Sequence, residues 1–133
     1  MRKKSIIAYF ALLCLGMSLL SGCDAPRDVA RDLSVQETMW NDMGSSTVDA
    51  KVFSPLNKGD VVYDTKYAVI TISSVNEERI VLDVDGGMVE PNDDGTINLL
   101  MEPIEKVTLN CAETIKLVSQ TMDGGTTLVI SFD

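Results

Sequence analysis

Short segments rich in β-branched and apolar residues follow one another from about residue 48 onwards, and turn-forming residues separate them. The clearest pair is KYAVITISSV (66–75) and IVLDV (80–84), which the polar stretch NEER connects. Valine, isoleucine, threonine and tyrosine suit a pleated sheet, so these two runs predict a hairpin. Further strands are predicted at TINLLM (96–101), EKVTLN (105–110), TIKLVS (114–119) and TTLVISF (126–132).

The spacing of these strands predicts the fold class. They recur at roughly 8–12 residues, which is typical of a β-sandwich or a small barrel. The connections DGGMVEPNDDG and MDGG consist of residues that favour turns. We therefore expect an all-β fold, a small antiparallel β-sandwich (Ig-like or barrel-like), over residues 48–133.

The segment 23–47 is polar and mixed in charge. Its apolar residues fit a loose helical stripe and are Val29, Leu33, Trp40 and Met43. We expect a tether here, with a short helix across Asp28–Asn41, that holds the domain away from a membrane surface. Within this tether Trp40 could dock on the domain, rest at the membrane interface or anchor a partner.

The first 22 residues differ again from the tether and the domain. Three bases lie in Met1–Lys4, and Ile6–Leu20 is a run without charge. About 15 apolar residues are short for a helix that crosses a bilayer. A basic start, a short apolar middle and small residues at the end instead predict a secretory signal, 1–22. The alternatives are a retained membrane helix and a buried core helix.

The sequence Leu20-Ser21-Gly22-Cys23 ends this apolar run. It resembles the lipobox of bacterial lipoproteins, in which an aliphatic residue and two small residues precede a cysteine. The resemblance covers residues 1–23. It implies cleavage before Cys23, a diacylglyceryl group on its sulfur, and fatty acyl chains such as palmitate. The protein would then lie on the extracytoplasmic side of a bacterial cell membrane, anchored by lipid. The alternative is a chance match inside an ordinary secretory signal.

The domain itself has a weaker likeness to known proteins. The pattern GD…YAVITISSV…IVLDV…GTINL…DGG…LVISF is similar to that of small β-sandwich domains in bacterial surface lipoproteins. The likeness implies the fold and the location, and it implies no activity.

Charge and cysteine usage restrict the partners and the chemistry. Residues 1–22 hold three basic and no acidic side chains, so the rest keeps eight basic and 20 acidic ones, a net charge of −12. This surplus favours solubility or a cationic partner and disfavours nucleic acid, which needs clusters of lysine and arginine. Cys14 leaves with the signal and Cys23 carries lipid, so Cys111 remains as the one free thiol. We expect it to be a small buried side chain at a strand end rather than a reactive thiol.

Several catalytic classes are disfavoured by residue type. The chain contains no histidine, which removes Ser-His-Asp triads, Cys-His pairs and histidine metal sites. It also lacks a P-loop and a dinucleotide fingerprint. A hydrolase with paired carboxylates would need a cleft with exposed aromatic residues, and aromatic residues are few. We therefore expect no enzyme.

Acidic residues offer one candidate ligand site, in the loop 83–95. A hard cation such as Ca²⁺ takes 6–8 oxygen ligands, which acidic glycine-rich loops can supply. The candidate ligands are Asp83, Asp85, Asp93 and Asp94. The loop does not match the EF-hand spacing, and plain turns are the alternative explanation.

The sequence thus supports three functions in decreasing order. The first is a non-catalytic interaction or accessory module that uses loops and strand edges to bind an envelope protein partner. The second is a ligand- or calcium-binding domain that uses the acidic loop, and the third is a hydrolase. The first requires no cofactor beyond the covalent lipid.

Overall fold

The computed structural model describes residues 28–133, and this part of the chain forms ten strands and no helix. The strands are β1 (Leu33–Asn41), β2 (Gly44–Thr47), β3 (Lys51–Phe53), β4 (Val61–Asp64), β5 (Ala68–Val75), β6 (Arg79–Gly86), β7 (Met88–Val89), β8 (Lys106–Asn110), β9 (Glu113–Ser119) and β10 (Gly124–Phe132). Within the described range, no helix is long and apolar enough to cross a membrane.

The strands form two antiparallel sheets. Sheet 1 has the order β2-β1-β10-β9-β7, and β3 pairs with β1 on the same side as β2. Sheet 2 has the order β4-β5-β6-β8. The predicted fold class is confirmed: the domain is a small all-β, sandwich-like fold.

The core lies between the sheets and follows the alternation of the strands. Along most of β5, β6 and β10 every second residue is buried, because successive side chains point to opposite faces of a sheet. The apolar residues buried on these strands are Ala68, Ile70, Ile72, Ile80, Leu82, Val84, Leu128, Ile130 and Phe132. Alternating burial therefore sets which face of each strand remains available to solvent.

Most of the predicted strands are present, and one is not. The predicted runs at 66–75, 80–84, 105–110, 114–119 and 126–132 correspond to β5, β6, β8, β9 and β10. The strand predicted at 96–101 is wrong, because this stretch is an irregular loop held by a distant side chain. The amide of Gln120 donates to the carbonyl oxygens of Asn98 and Met101, at 3.2 and 2.7 Å.

The predicted tether and helix are wrong from Leu33 onwards. Residues Leu33–Asn41 form β1, which pairs along its whole length with β10 and has Leu33 and Val35 in the core. Backbone pairing with β10 on one side and with β2 and β3 on the other outweighs a loose helical stripe. The β domain therefore begins before residue 48. Within the described residues, its first backbone pairing is the isolated bridge between Val29 and Leu56.

The register of β1 against β10 gives the domain two distinct ends. Leu33 pairs with Phe132 at one end, and Asn41 pairs with Gly124 at the other. We call the first the proximal end, because Asp28–Asp32 lead into it. We call the second the distal end, and it carries the β1–β2 and β9–β10 turns. The nine residues of β1 separate the two ends by about 27 Å.

Candidate functional site

Exposed apolar side chains gather at the distal end. Met43 is 95 % exposed, Leu100 89 % and Met122 74 %. They lie on the β1–β2 turn, the loop after β7 and the β9–β10 turn respectively. Leu99 is also exposed, next to Leu100. We call these four residues the distal apolar cluster. Single exposed apolar residues are ordinary, but a group from three loops at one end of a domain marks a contact surface.

Hydrogen bonds within each loop hold the cluster outward. Asn41 Oδ1 accepts from the backbone N–H of Met43 at 2.8 Å, and Asn98 Oδ1 accepts from that of Leu100 at the same distance. The side chain of Gln120, at the start of the β9–β10 turn, ties the Asn98–Met101 loop to that turn. These bonds restrain the loops before a partner binds, which lowers the entropy cost of binding.

Trp40 lies at the centre of the same end, on the outer face of sheet 1. It pairs with Gly125 of β10, and its ring lies over that glycine. A Cβ on Gly125 would stand 2.9 Å from Cζ2 of Trp40 and 2.1 Å from Oγ of Ser119, so only glycine leaves room for the indole. Trp40 is therefore part of the domain and not of a tether.

Open grooves lie on both sides of Trp40. One of about 570 Å³ includes Met43, Ser45 and Tyr67, and the other, of about 460 Å³, includes Ile97 and Met122. Both grooves are open to solvent rather than enclosed. The grooves therefore connect Trp40 to Met43 on one side and to Met122 on the other.

Acidic side chains surround the apolar residues. Asp42 precedes Met43, Asp123 follows Met122, and Glu102 follows the Asn98–Met101 loop, all of them exposed. Two cations border this end: Lys116 lines the groove that includes Met122, and Nζ of Lys66 lies 5.2 Å from the centre of the Tyr67 ring. An apolar centre with a charged rim is the usual layout of a protein interface. Here the rim is mainly negative.

The structure does not bring the four predicted calcium ligands together. Asp83 on β6 forms an ion pair with Lys106 on β8, and Asp85 is exposed where β6 ends. Asp94 lies in the turn after β7, where N–H and O–H of Thr96 bond to its Oδ1 and lower its pKa. Among residues 28–133, no group of three or more acidic or cysteine side chains is placed to hold a metal ion.

Cys111 is exposed, so the expected burial of this thiol is wrong. It follows the last residue of β8, and its backbone N–H donates to the carbonyl of Glu78 at 2.9 Å. The β8–β9 turn lies at the proximal surface, which leaves the side chain in solvent.

Sequence reasoning missed a polar cluster between the sheets, formed by Glu37, Tyr63 and Thr126. Glu37 Oε2 accepts from the hydroxyl of Tyr63 at 2.6 Å and from that of Thr126 at 2.8 Å. Burial, together with the Glu37 carboxylate, raises the pKa of Tyr63 to about 12. The cleft beside it holds only about 100 Å³, well below an ordinary ligand site. The cluster therefore joins β1 and β10 of sheet 1 to β4 of sheet 2.

The distal apolar cluster was also missed, although its sequence carried a signal. A methionine stands inside each of the turn sequences NDMG and TMDGG, where polar residues are usual. The predicted lipidation and cleavage residues Leu20, Ser21, Gly22 and Cys23 lie outside the described residues. Comparison of the chain with protein-family models, with curated proteins and with solved structures finds no match.

Proposed function

We propose that this protein is a bacterial lipoprotein, anchored by lipid on Cys23, whose domain binds an envelope protein partner through its distal end. The observation that supports the binding role is the distal apolar cluster. It lies opposite the end at which Asp28–Asp32 lead into the domain. The proposal describes a non-catalytic interaction module.

The distance between the anchor and the cluster favours a protein partner over the membrane. Four residues separate Cys23 from Asp28, so the proximal end stays within about 18 Å of the lipid-bearing residue. The distal end is about 27 Å further along β1. With the anchor in the membrane, the cluster can face away from the lipid, towards other molecules of the envelope.

The charge around the cluster indicates which kind of partner surface would bind there. An acidic rim is repelled by anionic lipid headgroups, and it is attracted to lysine and arginine. Tryptophan and methionine are enriched at interface centres because they bury large apolar areas. The partner should therefore present an apolar spot bordered by basic side chains.

Photo-crosslinking of the full chain in its own cells tests this role. A photoreactive residue replaces Met43 or Met122 at the distal end, and the exposed proximal residues Asn76 and Thr114 serve as matched control positions. We expect one envelope protein to be captured from the distal positions only. Equal capture from both ends, or no capture from either distal position, would overturn the proposal.

A surface variant tests the contribution of the cluster. With the photoreactive residue at Met122, Met43→Ser combined with Leu100→Ser should weaken capture more than tenfold, because burial of one such apolar side chain contributes about 1.5–3 kcal/mol. The control is Val52→Ser, an exposed apolar residue on β3. Unchanged capture by the double variant would contradict the role of the cluster.

The anchor has a separate test. Cys23→Ala should move the protein from the lipid fraction to the soluble fraction, because the lipid needs the thiol. Retention of an uncleaved Cys23→Ala chain in the membrane would instead show that residues 1–22 act as a membrane helix.

A further inference from the structure

Strand β2 forms a free edge of sheet 1 beside the distal apolar cluster. It pairs with β1 on one side and is the last strand of the sheet on the other, within the described residues. All four of its residues, Gly44–Thr47, are exposed. An unpaired strand edge is a template for another strand.

The register shows which backbone groups of β2 face outward. In an antiparallel pair, hydrogen-bonded and non-hydrogen-bonded residue pairs alternate. Val48 donates to the carbonyl of Glu37 at 3.0 Å, so Ser46 and Gly44 also point their backbone groups towards β1. The N–H and C=O groups of Ser45 and Thr47 therefore point away from the sheet.

The β2 edge lacks the features that protect the other strand edges. Lys51 lies on β3 and Lys106 on β8, and lysine on an edge strand discourages pairing. Edge strand β4 has an irregular register between Val61 and Tyr63, and β7 has only two residues. Strand β2 has no charge, no proline and no bulge, which leaves it open to another strand.

The side chains of β2 leave space next to Trp40. Ser45 lies directly opposite Trp40 on the outer face of the sheet, and both line the same groove. Because serine is small, a long apolar side chain of a neighbouring strand could reach over it to the indole. Met43 borders this groove as well.

We propose that the partner contributes an extended segment that adds to β2 as a further strand of sheet 1. This inference rests on the proposed function and specifies how its partner binds. The added strand exchanges hydrogen bonds with the outward groups of Ser45 and Thr47 and directs a large apolar side chain towards Trp40.

The acidic residues next to β2 favour a segment of another protein over a second copy of this chain. Asp42 and Asp49 are exposed just before and after β2, and the chain without residues 1–22 carries a net charge of −12. Two copies would place these acids against each other, which opposes association. A segment with lysine or arginine beside its apolar residues meets complementary charge.

Proline substitutions at the two outward positions test strand addition. The full chain carries the photoreactive residue at Met122, away from β2, and either Ser45→Pro or Thr47→Pro. Each proline removes one outward N–H and leaves the bonds to β1 intact, so partner capture should fall about tenfold. The matched controls Ser45→Ala and Thr47→Val keep the N–H and should capture the partner within twofold of the parent chain.

The outcomes separate this inference from the proposed function. If the proline variants capture the partner normally while Met43→Ser combined with Leu100→Ser weakens capture, strand addition is wrong and the binding role stands. If the parent chain captures nothing from Met122 or Met43, both proposals fail. An adduct with twice the mass of the chain would show self-pairing and would overturn the foreign segment.

Amide hydrogen exchange on the unmodified chain does not depend on how the proline variants fold. With the captured protein purified and added, exchange at Ser45 and Thr47 should slow at least tenfold, because both N–H groups become bonded. Ser46 already bonds to β1 and provides the internal reference. Unchanged exchange at both outward residues would overturn strand addition.

Discussion

The hydroxyl of Tyr63 should make the stability of the domain depend on alkaline pH. Burial and the Glu37 carboxylate raise the pKa of Tyr63 from 10.0 to about 12. The folded state then holds this proton more tightly than the unfolded chain does, so the stabilisation is complete below pH 10 and is lost as pH rises through 12. A shift of two pKa units, at ~1.36 kcal/mol each, corresponds to about 2.7 kcal/mol of folding stability. About half of this stability is lost by pH 11.

Tyr63→Phe removes the hydroxyl and keeps the buried ring. At pH 8 the variant should lose about 1.5–3 kcal/mol of unfolding free energy, because its bond to a carboxylate is absent. At pH 11 the difference in unfolding free energy between the parent protein and the variant should be smaller by about 1.4 kcal/mol. Urea unfolding followed by circular dichroism measures both gaps, and Tyr67→Phe controls for loss of another tyrosine hydroxyl. A gap that stays the same at pH 8 and pH 11 would refute the reasoning.

Three further predictions concern β1, the distal end and the acidic loop. Leu33→Ala should lower the free energy of unfolding by about 2–5 kcal/mol, since Leu33 is fully buried; a loss below about 0.5 kcal/mol would fit a tether. Gly125→Ala should lower the melting temperature and shift the fluorescence of Trp40, the one tryptophan, because the added Cβ would meet the indole. The control Gly87→Ala should change neither, because a Cβ there has no neighbour within 4 Å. Calcium should give no saturating rise in melting temperature, because Asp83 is already paired; such a rise would support the acidic loop as a ligand site.

The strands that the sequence predicted correctly share one property: most of their inward positions are apolar. Strands β5, β6 and β10 alternate between buried apolar and more exposed residues, and this period is visible in the sequence. Strand β1 has the same alternation up to Val35, and then Glu37 occupies the next inward position. The alternation breaks at Glu37, so this segment also fits a loose helical stripe.

The hydroxyls that make the inward Glu37 acceptable could not be inferred locally. Tyr63 lies 26 residues away and Thr126 lies 89 residues away in the sequence. A partly buried carboxylate is costly without such donors. Likewise, the apolar residues of TINLLM suggested a strand, whereas Gln120 holds part of this stretch as a loop. In both cases a remote side chain decides the local structure.

The pairing of β1 with β10 accounts for both the surface and its direction. Met43 and Met122 are isolated exposed residues in the sequence, and this register places their turns at the same end, while Gln120 ties the loop of Leu100 to the β9–β10 turn. A slip of one residue would turn Leu33 and Val35 out of the core, so the register is strongly fixed. The same pairing puts Asp28–Asp32 at the opposite end. A lipid on Cys23 would therefore be attached on the side of the domain opposite the apolar cluster.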